Sequence, residues 1–286
     1  MEEKKSIIPD REIVWKRIQA AIWATSYAPH RYSRAVLYRM MGIAASVALI
    51  LGASAALWLG HITAAPGDAD MQMNTVITPP GHKTQIVLPD STVVWLNAGS
   101  RLSYNCRYNG KARTVELEGE GYFDVRSNPE LPFVVRAGAV DVKALGTAFN
   151  VKAYSDEDEV NVALVNGSVQ LLAVAGRRVL ATLHPNQSGV VRKDGSGGCR
   201  IVDCNTALEA IWRFNRLKFE NEPVALMVKK LERWYGVHIN VINVPPEQTY
   251  RMTIKTETLT ELLGLINKLT PIEYEINGEE VMVRYK

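Results

Sequence analysis

Twenty-one consecutive residues without a charge, Met40 to Gly60 (MMGIAASVALILGASAALWLG), constrain this chain more than any other feature. As a helix rising about 1.5 Å per residue they span roughly 30 Å, the thickness of a bilayer's hydrocarbon core. Arg31, Arg34 and Arg39 precede the segment, with His30 nearby, and Asp68 and Asp70 follow it. Lys and Arg collect on the cytoplasmic side of membrane helices, so the N-terminus is expected inside and everything after residue 61 outside. Trp58 falls near the outer boundary, where an indole ring suits the headgroup level. The expectation is a single-pass protein of the bacterial inner membrane, with the N-terminus in the cytoplasm and the C-terminal domains in the periplasm. A signal peptide cleaved near Ala64-Ala65 fits less well, because the apolar stretch exceeds the usual 7–15 residues. A buried core helix rarely runs this long without a residue more polar than Ser. Gly42 and Ser46, then Gly52, Ala56 and Gly60, recur every fourth residue and would admit a neighbouring helix, although small residues are frequent in any membrane helix.

Charge supports the same topology. Residues 1–39 carry eight Lys/Arg against four Asp/Glu, a net +4, while the whole chain carries +3, so the remainder carries −1. A basic excess confined to one short end signals membrane orientation, not polyanion binding. Within that end, Pro9-Asp10 opens a helix with Asp10 as N-cap. Trp15, Ile18 and Ile22, with Val14 beside them, place one apolar stripe on it. A single stripe makes no core; it needs either a partner protein or the inner membrane surface.

Residues 61–78 are small, polar and unpatterned and read as a linker. From Pro79 the pattern changes to short runs rich in Val, Leu, Phe and Tyr, separated by turn residues. Strands are expected at 83–88, 92–96, 113–117, 121–125, 133–137, 140–144, 147–153, 159–165, 168–174 and 188–192. Pro89-Asp90-Ser91, Asn109-Gly110, Ala137-Gly138 and Asn166-Gly167 supply the turns. Many short strands without helical periodicity between them predict an all-β unit over 79–204, a sandwich, barrel or solenoid. Asn205-Thr206 then caps a connecting helix over 205–216.

Residues 217–286 contain an internal duplication at an offset of thirty-five residues. Val224, Met227, Val228, Leu231 and Trp234 align with Leu259, Leu262, Leu263, Ile266 and Leu269, both sets at amphipathic-helix spacing. Strand-like segments flank each helix, at 217–220 and 237–242, then at 251–255 and 272–276. A last strand, 280–285, follows through Asn277-Gly278 as a hairpin. The prediction is a small α+β domain of duplicated β-α-β units, with both helices on one face of a small sheet.

Four ordered blocks now carry a resemblance: TPPGHKTQIVLPDSTVVWLNAGSRLSYN (Thr78–Asn105), VELEGEGYFDV (Val115–Val125), LGTAFNVKAY (Leu145–Tyr154) and VALVNGSVQL (Val162–Leu171). Together they resemble the FecR family of sigma-factor regulators. LKFENEPVALMVKKLERWYGVHINV is similar to the C-terminal domain attached to such regulators in Bacteroidetes. The β-α-β duplication is similar to the short N-terminal domains of secretins and TonB-dependent receptors. The family favours a solenoid-like form for the β domain. It also implies an anti-sigma factor, relaying a signal from the periplasmic signalling domain of an outer-membrane TonB-dependent receptor to a cytoplasmic ECF-type sigma factor. Trp15, Ile18 and Ile22 are then the expected sigma-factor contact, and the exported domains the receptor contact. The family usually has several cytoplasmic helices, and the piece present here is similar to the last of them. A membrane-tethered periplasmic scaffold or envelope-binding module without a sigma partner is the alternative.

No residue pattern points to catalysis, a cofactor, direct nucleic-acid binding or a metal. The five histidines are scattered, and none stands at ligand spacing from a Cys or another His. His82, Asp90 and Ser91 would suit a hydrolase, but Pro89-Asp90-Ser91 is ordinary turn chemistry. Glu116, Glu118 and Glu120 alternate as a strand's solvated face would, which is favoured over a calcium site. Of the three cysteines, Cys199 and Cys204 are a possible disulfide closing a small loop, with Cys106 a small buried apolar residue.

Overall fold

The computed structural model describes residues 10–26, 33–63, 72–105, 108, 113–175 and 178–286. The chain divides into two units, Met1–Gly67 and Asp68–Lys286, each described by itself. The turn at Asn109-Gly110, Cys106, Ala64-Ala65 and the flanking residues His30, Arg31, Asp68 and Asp70 lie outside the described residues.

The first unit contains two helices, α1 (Arg11–Ser26) and α2 (Arg34–Thr63). Asp10 caps α1 as the sequence predicts: its side chain accepts from the Glu12 amide at 3.3 Å, and its carbonyl accepts from Ile13 and Val14. Helix α2 is longer than the uncharged segment, beginning six residues earlier at Arg34, because Val36, Leu37 and Tyr38 continue a helix-compatible run. Residues Arg34–Trp58 are long and apolar enough to cross a membrane. Ser46 and Ser54 donate their hydroxyls to the carbonyls of Gly42 and Ile50, at 2.8 and 2.7 Å, so these polar groups are satisfied within the helix.

The β domain of the second unit consists of two face-packed layers that share one strand. The first layer runs β1 (Met73–Thr78), β4 (Ser100–Asn105), β5 (Arg113–Asp124), β6 (Phe133–Ala137), β7 (Val140–Ala144), β10 (Val169–Ala173) and β11 (Val179–Leu183). The second runs β2 (Thr84–Val87), β3 (Val93–Leu96), β5 again, β8 (Ala148–Ala153), β9 (Glu159–Asn166), β12 (Gln187–Arg192) and β13 (Cys199–Asp203). Every pairing is antiparallel except β5 with β6. This is the sandwich of the forms left open by the sequence, not the solenoid-like form favoured by resemblance.

Strand β5 makes the sandwich possible. Its first half pairs with β4 and β6, with Leu117 opposite Leu102 and Val115 opposite Val135. Its second half pairs with β3 and β8, with Tyr122 opposite Trp95 and Phe123 opposite Phe149. The change of layer falls at Gly119, whose φ of 102° is closed to ordinary side chains. A Cβ there would also lie 2.4 Å from the Ser100 hydroxyl oxygen, which accepts from the Glu120 amide at 2.8 Å. The sequence breaks this element into 113–117 and 121–125; the backbone carries it through as one strand. The sequence also misses β1, placed in the linker, and β4, β11 and β13, all layer-edge or half-polar strands with weak alternation.

Inward residues of both layers form one core, in which Phe123 lies 5.9 Å from Phe133 and 5.3 Å from Phe149 between ring centres. Arg113 is also there, only 1% exposed. Its guanidinium meets Asp90 at 3.1 Å and donates to the carbonyls of Leu131, Arg126 and Asn128 at 2.6, 2.7 and 3.3 Å. Asp90 in turn accepts from the amide and hydroxyl of Thr92. A buried guanidinium requires a countercharge and acceptors for its protons, and this one has both.

The connecting segment is not one helix. It is a four-residue α3 (Thr206–Glu209) and a 3-10 turn, Ile211–Phe214, ended by left-handed Asn215; Asn205 makes no side-chain cap. Then follow β14 (Leu217–Pro223), α4 (Val224–Tyr235), β15 (His238–Ile242), β16 (Thr249–Ile254), α5 (Leu259–Leu269), β17 (Ile272–Asn277) and β18 (Glu280–Tyr285). The order is that of two successive β-α-β segments. Pairing, however, makes two small sheets: β14 with β16, and β15, β18, β17, where β15 and β18 are parallel. The centres of both helical stripes are buried in one core, Met227 and Leu231 from α4 with Leu262, Leu263 and Ile266 from α5, while Leu269 at the end of α5 is exposed. Thr258 and Glu261 form a reciprocal capping box at the start of α5.

Candidate functional site

On α1, Trp15, Ile18 and Ile22 do share one side of the helix with Val14, as their spacing requires. They are 61%, 42% and 58% exposed. Ile13 and Trp23, at 57% and 65%, are as exposed on other sides of α1, so its open apolar surface extends beyond this stripe.

The other sequence-level candidates come apart. His82 Nδ1 lies 3.0 Å from the Pro80 carbonyl, and Asp90 is committed to Arg113 and Thr92, so His82, Asp90 and Ser91 form no relay. Glu116 and Glu118 are exposed, but Glu120 is buried: the Asn97 and Asn150 amides each donate to its carboxylate at 2.8 Å. The alternation is interrupted because β5 has changed layer at Gly119. Cys199 and Cys204 are both free thiols. The disulfide the sequence leaves possible between them is not formed, and β13 runs extended from Cys199 to Asp203. Burial raises both thiols, and Cys204 is pushed up to about 11 by burial and then by Glu209 and Asp203, which keeps it protonated at neutral pH.

What the sequence does not reveal is the junction between the β domain and the α+β domain. The C-terminal end of α4 is clamped by two β-domain loops. Arg233 contacts both carboxylate oxygens of Asp156 at 2.7 and 2.9 Å and Glu157 at 2.7 Å, with its guanidinium 3.6 Å from the centre of the Tyr154 ring. Lys229 also reaches Asp156, and Lys152 holds Glu157 at 2.7 Å. Burial alone would raise both carboxylates, but Arg233 and Lys229 on Asp156, and Lys152 and Arg233 on Glu157, outweigh it and hold both below the usual range. On the other side, the Gly81 amide donates to the Arg233 carbonyl at 2.8 Å, and the Lys83 ammonium sits 3.7 Å above the Trp234 ring.

The connecting segment fills the remaining gap. Trp212 is buried and donates its indole N–H to Asn150 at 3.3 Å, joining the Glu120 network. The Arg213 guanidinium carbon sits over Tyr122, 3.4 Å from its ring centre, and 5.2 Å from that of Trp95. Between the domains remains a polar cleft of about 280 Å³, lined by Glu120, Glu209, Glu222, Lys230 and Trp212 among others. Two of its bases are paired, Lys230 with Glu222 and Lys218 with Glu220, while burial raises the Glu209 carboxyl above its ordinary value. No group of His, Cys, Asp and Glu suited to a metal occurs among the described residues.

The FecR protein family model matches residues 74–170, and the model for the FecR C-terminal domain matches residues 216–283. The two matches flank the junction. Two solved structures are similar, both of a protein from Parabacteroides distasonis ATCC 8503 described as a "putative anti-sigma factor". One is 29% identical with a TM-score of 0.66, covering 74% of this chain and 99% of its own; the other is 28% identical with a TM-score of 0.67, covering 75% and 100%. Comparison with curated proteins yields no match.

Proposed function

The chain belongs to the FecR family, and from that premise we propose that it is a membrane-bound anti-sigma regulator. The similarity of 74% of this chain to a protein described as a "putative anti-sigma factor", over 99% of that protein's chain, carries the reading. Helix α2 spans the inner membrane once, α1 lies in the cytoplasm, and the second unit stands in the periplasm. The basic flank before the uncharged segment supports this orientation.

In this scheme the second unit receives a signal from the periplasmic domain of a TonB-dependent outer-membrane receptor. The tail holds or releases an ECF-type sigma factor through Trp15, Ile18 and Ile22. The exposed stripe on α1 supports the tail's role, since an amphipathic helix laid into a partner's groove is read through anchors at this spacing. Nothing in the scheme requires the protein to catalyse a reaction; it works by binding.

Two measurements test the proposal. Output from the sigma factor's own promoter should change in a deletion strain under inducing or non-inducing conditions, and an unchanged output under both removes the regulator reading. A pulldown of the sigma factor by the full chain should be lost in Trp15→Ala/Ile18→Ala, and undiminished binding removes the assignment of the stripe.

A further inference from the structure

The two folded domains of the second unit keep separate apolar cores. Among the described residues, the β-domain core takes none from 217–286, and the α+β core takes none from before Leu217. A small third cluster, Tyr122, Ala210 and Trp212, bridges them, and the α+β side meets it through Trp234 alone among the described residues. Beyond it, α4 is held by charge, Arg233 meeting Asp156 and Glu157 at 2.7 Å and Lys229 meeting Asp156 at 3.5 Å. A polar cleft stays open beside these pairs. Domains joined by a small polar interface are expected to move relative to one another.

Such a contact can come apart without unfolding either domain, because neither core crosses it. Asp156 is half exposed, so water already reaches part of the pairing. Arg233 and Glu157 regain hydration on separation, which offsets much of the attraction they lose. A pivot is present as well. Trp212 is buried and bonded to Asn150, which fixes the connecting segment to the β domain up to that residue. Asn215 follows in the left-handed conformation, with a φ of 54°, and β14 begins at Leu217. Asn215 and Arg216, both exposed, thus link an anchored tryptophan to a separately folded domain, as hinge residues do.

The same helix end holds the loop that leaves β1. The Gly81 amide donates to the Arg233 carbonyl at 2.8 Å. A Cβ at Gly236 would lie 3.4 Å from the Pro80 carbonyl carbon, and one at Gly81 3.6 Å from the Tyr235 carbonyl oxygen, so backbone meets backbone here. Lys83 spans latch and pivot, its ammonium 3.7 Å from the centre of the Trp234 ring and donating to Asn215 at 3.1 Å. The loop follows directly on β1, which starts at Met73 and is the first strand after α2 ends at Thr63 among the described residues.

We propose that the α+β domain is a hinged arm. It turns at Asn215 and Arg216, is latched by Arg233 and Lys229 on Asp156 and Glu157, and on opening lets go of the loop 79–83 at the end of β1. The latch gives the second unit two states, and the position of the C-terminal domain is passed to the first strand after the apolar helix. This device needs only the second unit and goes beyond the regulator role.

The test is hydrogen–deuterium exchange of the full chain in detergent micelles, read by mass spectrometry at the Gly81 amide. In the parent, urea below the unfolding transition should speed exchange in β6, β7 and β8 but move Gly81 only weakly, because opening the arm exposes little surface. Arg233→Ala should speed Gly81 exchange at least roughly tenfold, equivalent to about 1.4 kcal/mol. The backbone carbonyl that accepts from Gly81 remains in this variant, so the change reports release of the arm. Asp156→Ala/Glu157→Ala should do the same. These carboxylates pair with Arg233, Lys229 and Lys152, so their effect at Gly81 must pass through α4. Gly81 exchange unmoved in both variants, or sharing the urea dependence of β6 to β8, would overturn the proposal. The promoter assay of the preceding section is read independently, so failure here leaves the regulator reading to stand or fall by itself.

Discussion

The helical unit and the β-rich unit treat apolar side chains in opposite ways. In the second unit the large apolar residues converge: Phe123, Phe133 and Phe149 are fully buried in one core, Leu231 and Leu263 in another. In the first, Trp15, Ile18, Ile22, Ile43, Leu49 and Leu57 all stand exposed on single helices. The same kinds of residue therefore stabilise a fold in one region and specify an environment in the other. A folded core gains its stability from contacts within the chain, whereas in the proposed scheme α1 and α2 would gain theirs from a partner surface and a bilayer.

This contrast predicts a steep gradient of mutational effects. The largest is expected at Arg113, where Arg113→Ala strands Asp90 without its countercharge and empties a fully buried site. The loss should be about 3–5 kcal/mol, read from the urea midpoint of the β signal of the full chain in micelles. A loss below about 1 kcal/mol would show that Asp90 is rescued by Thr92 alone. Next is Leu231→Ala in the α+β core, with an expected loss of about 2–5 kcal/mol.

Arg233→Ala should cost less, about 1–3 kcal/mol at neutral pH, since Asp156 remains half exposed. Its cost should also depend on pH. Asp156 and Glu157 are depressed in the folded state, so the stability they add through Arg233 is complete above the unfolded carboxylate values near 4. It is lost as pH falls through the lower folded values. The difference between Arg233→Ala and the parent should therefore be constant from pH 7 to about pH 5 and shrink in more acid solution. A difference that grows on acidification would contradict the ion-pair account of the junction.

The smallest effect belongs to the first unit. Trp15→Ala/Ile18→Ala removes more apolar surface than Leu231→Ala, yet should leave the urea midpoint of the β signal within about 0.5 kcal/mol. A larger shift would break the division between a region that folds on its own contacts and one that awaits an external surface.

How much of this was legible beforehand follows the range of the interactions. Asp10 as a cap, the α1 stripe, the uncharged segment of α2, the core strands β6 to β9 and both helices of the α+β domain all appear in the sequence, because caps, hydrophobic periods and turns act over a few residues. Strands β1, β4, β11 and β13 do not appear, since half-exposed strands are held by their neighbours more than by their own alternation. Arg113 looks like a surface charge until β5 carries it inward beside Asp90, and Glu120 looks like its neighbours Glu116 and Glu118 until Gly119 moves it into the other layer.

By itself the sequence determined that one helix is long and apolar enough to cross a membrane, that a basic tail precedes it, and that a β-rich unit and an α+β unit follow. Only the tertiary structure decided that β5 joins two layers, that Arg233 locks the two domains through Asp156 and Glu157, and that Cys199 and Cys204 stay apart. The physical reason is one of distance along the chain. Arg233 lies seventy-seven residues from Asp156, and no local pattern of charge or hydrophobicity records which distant partner a side chain will meet.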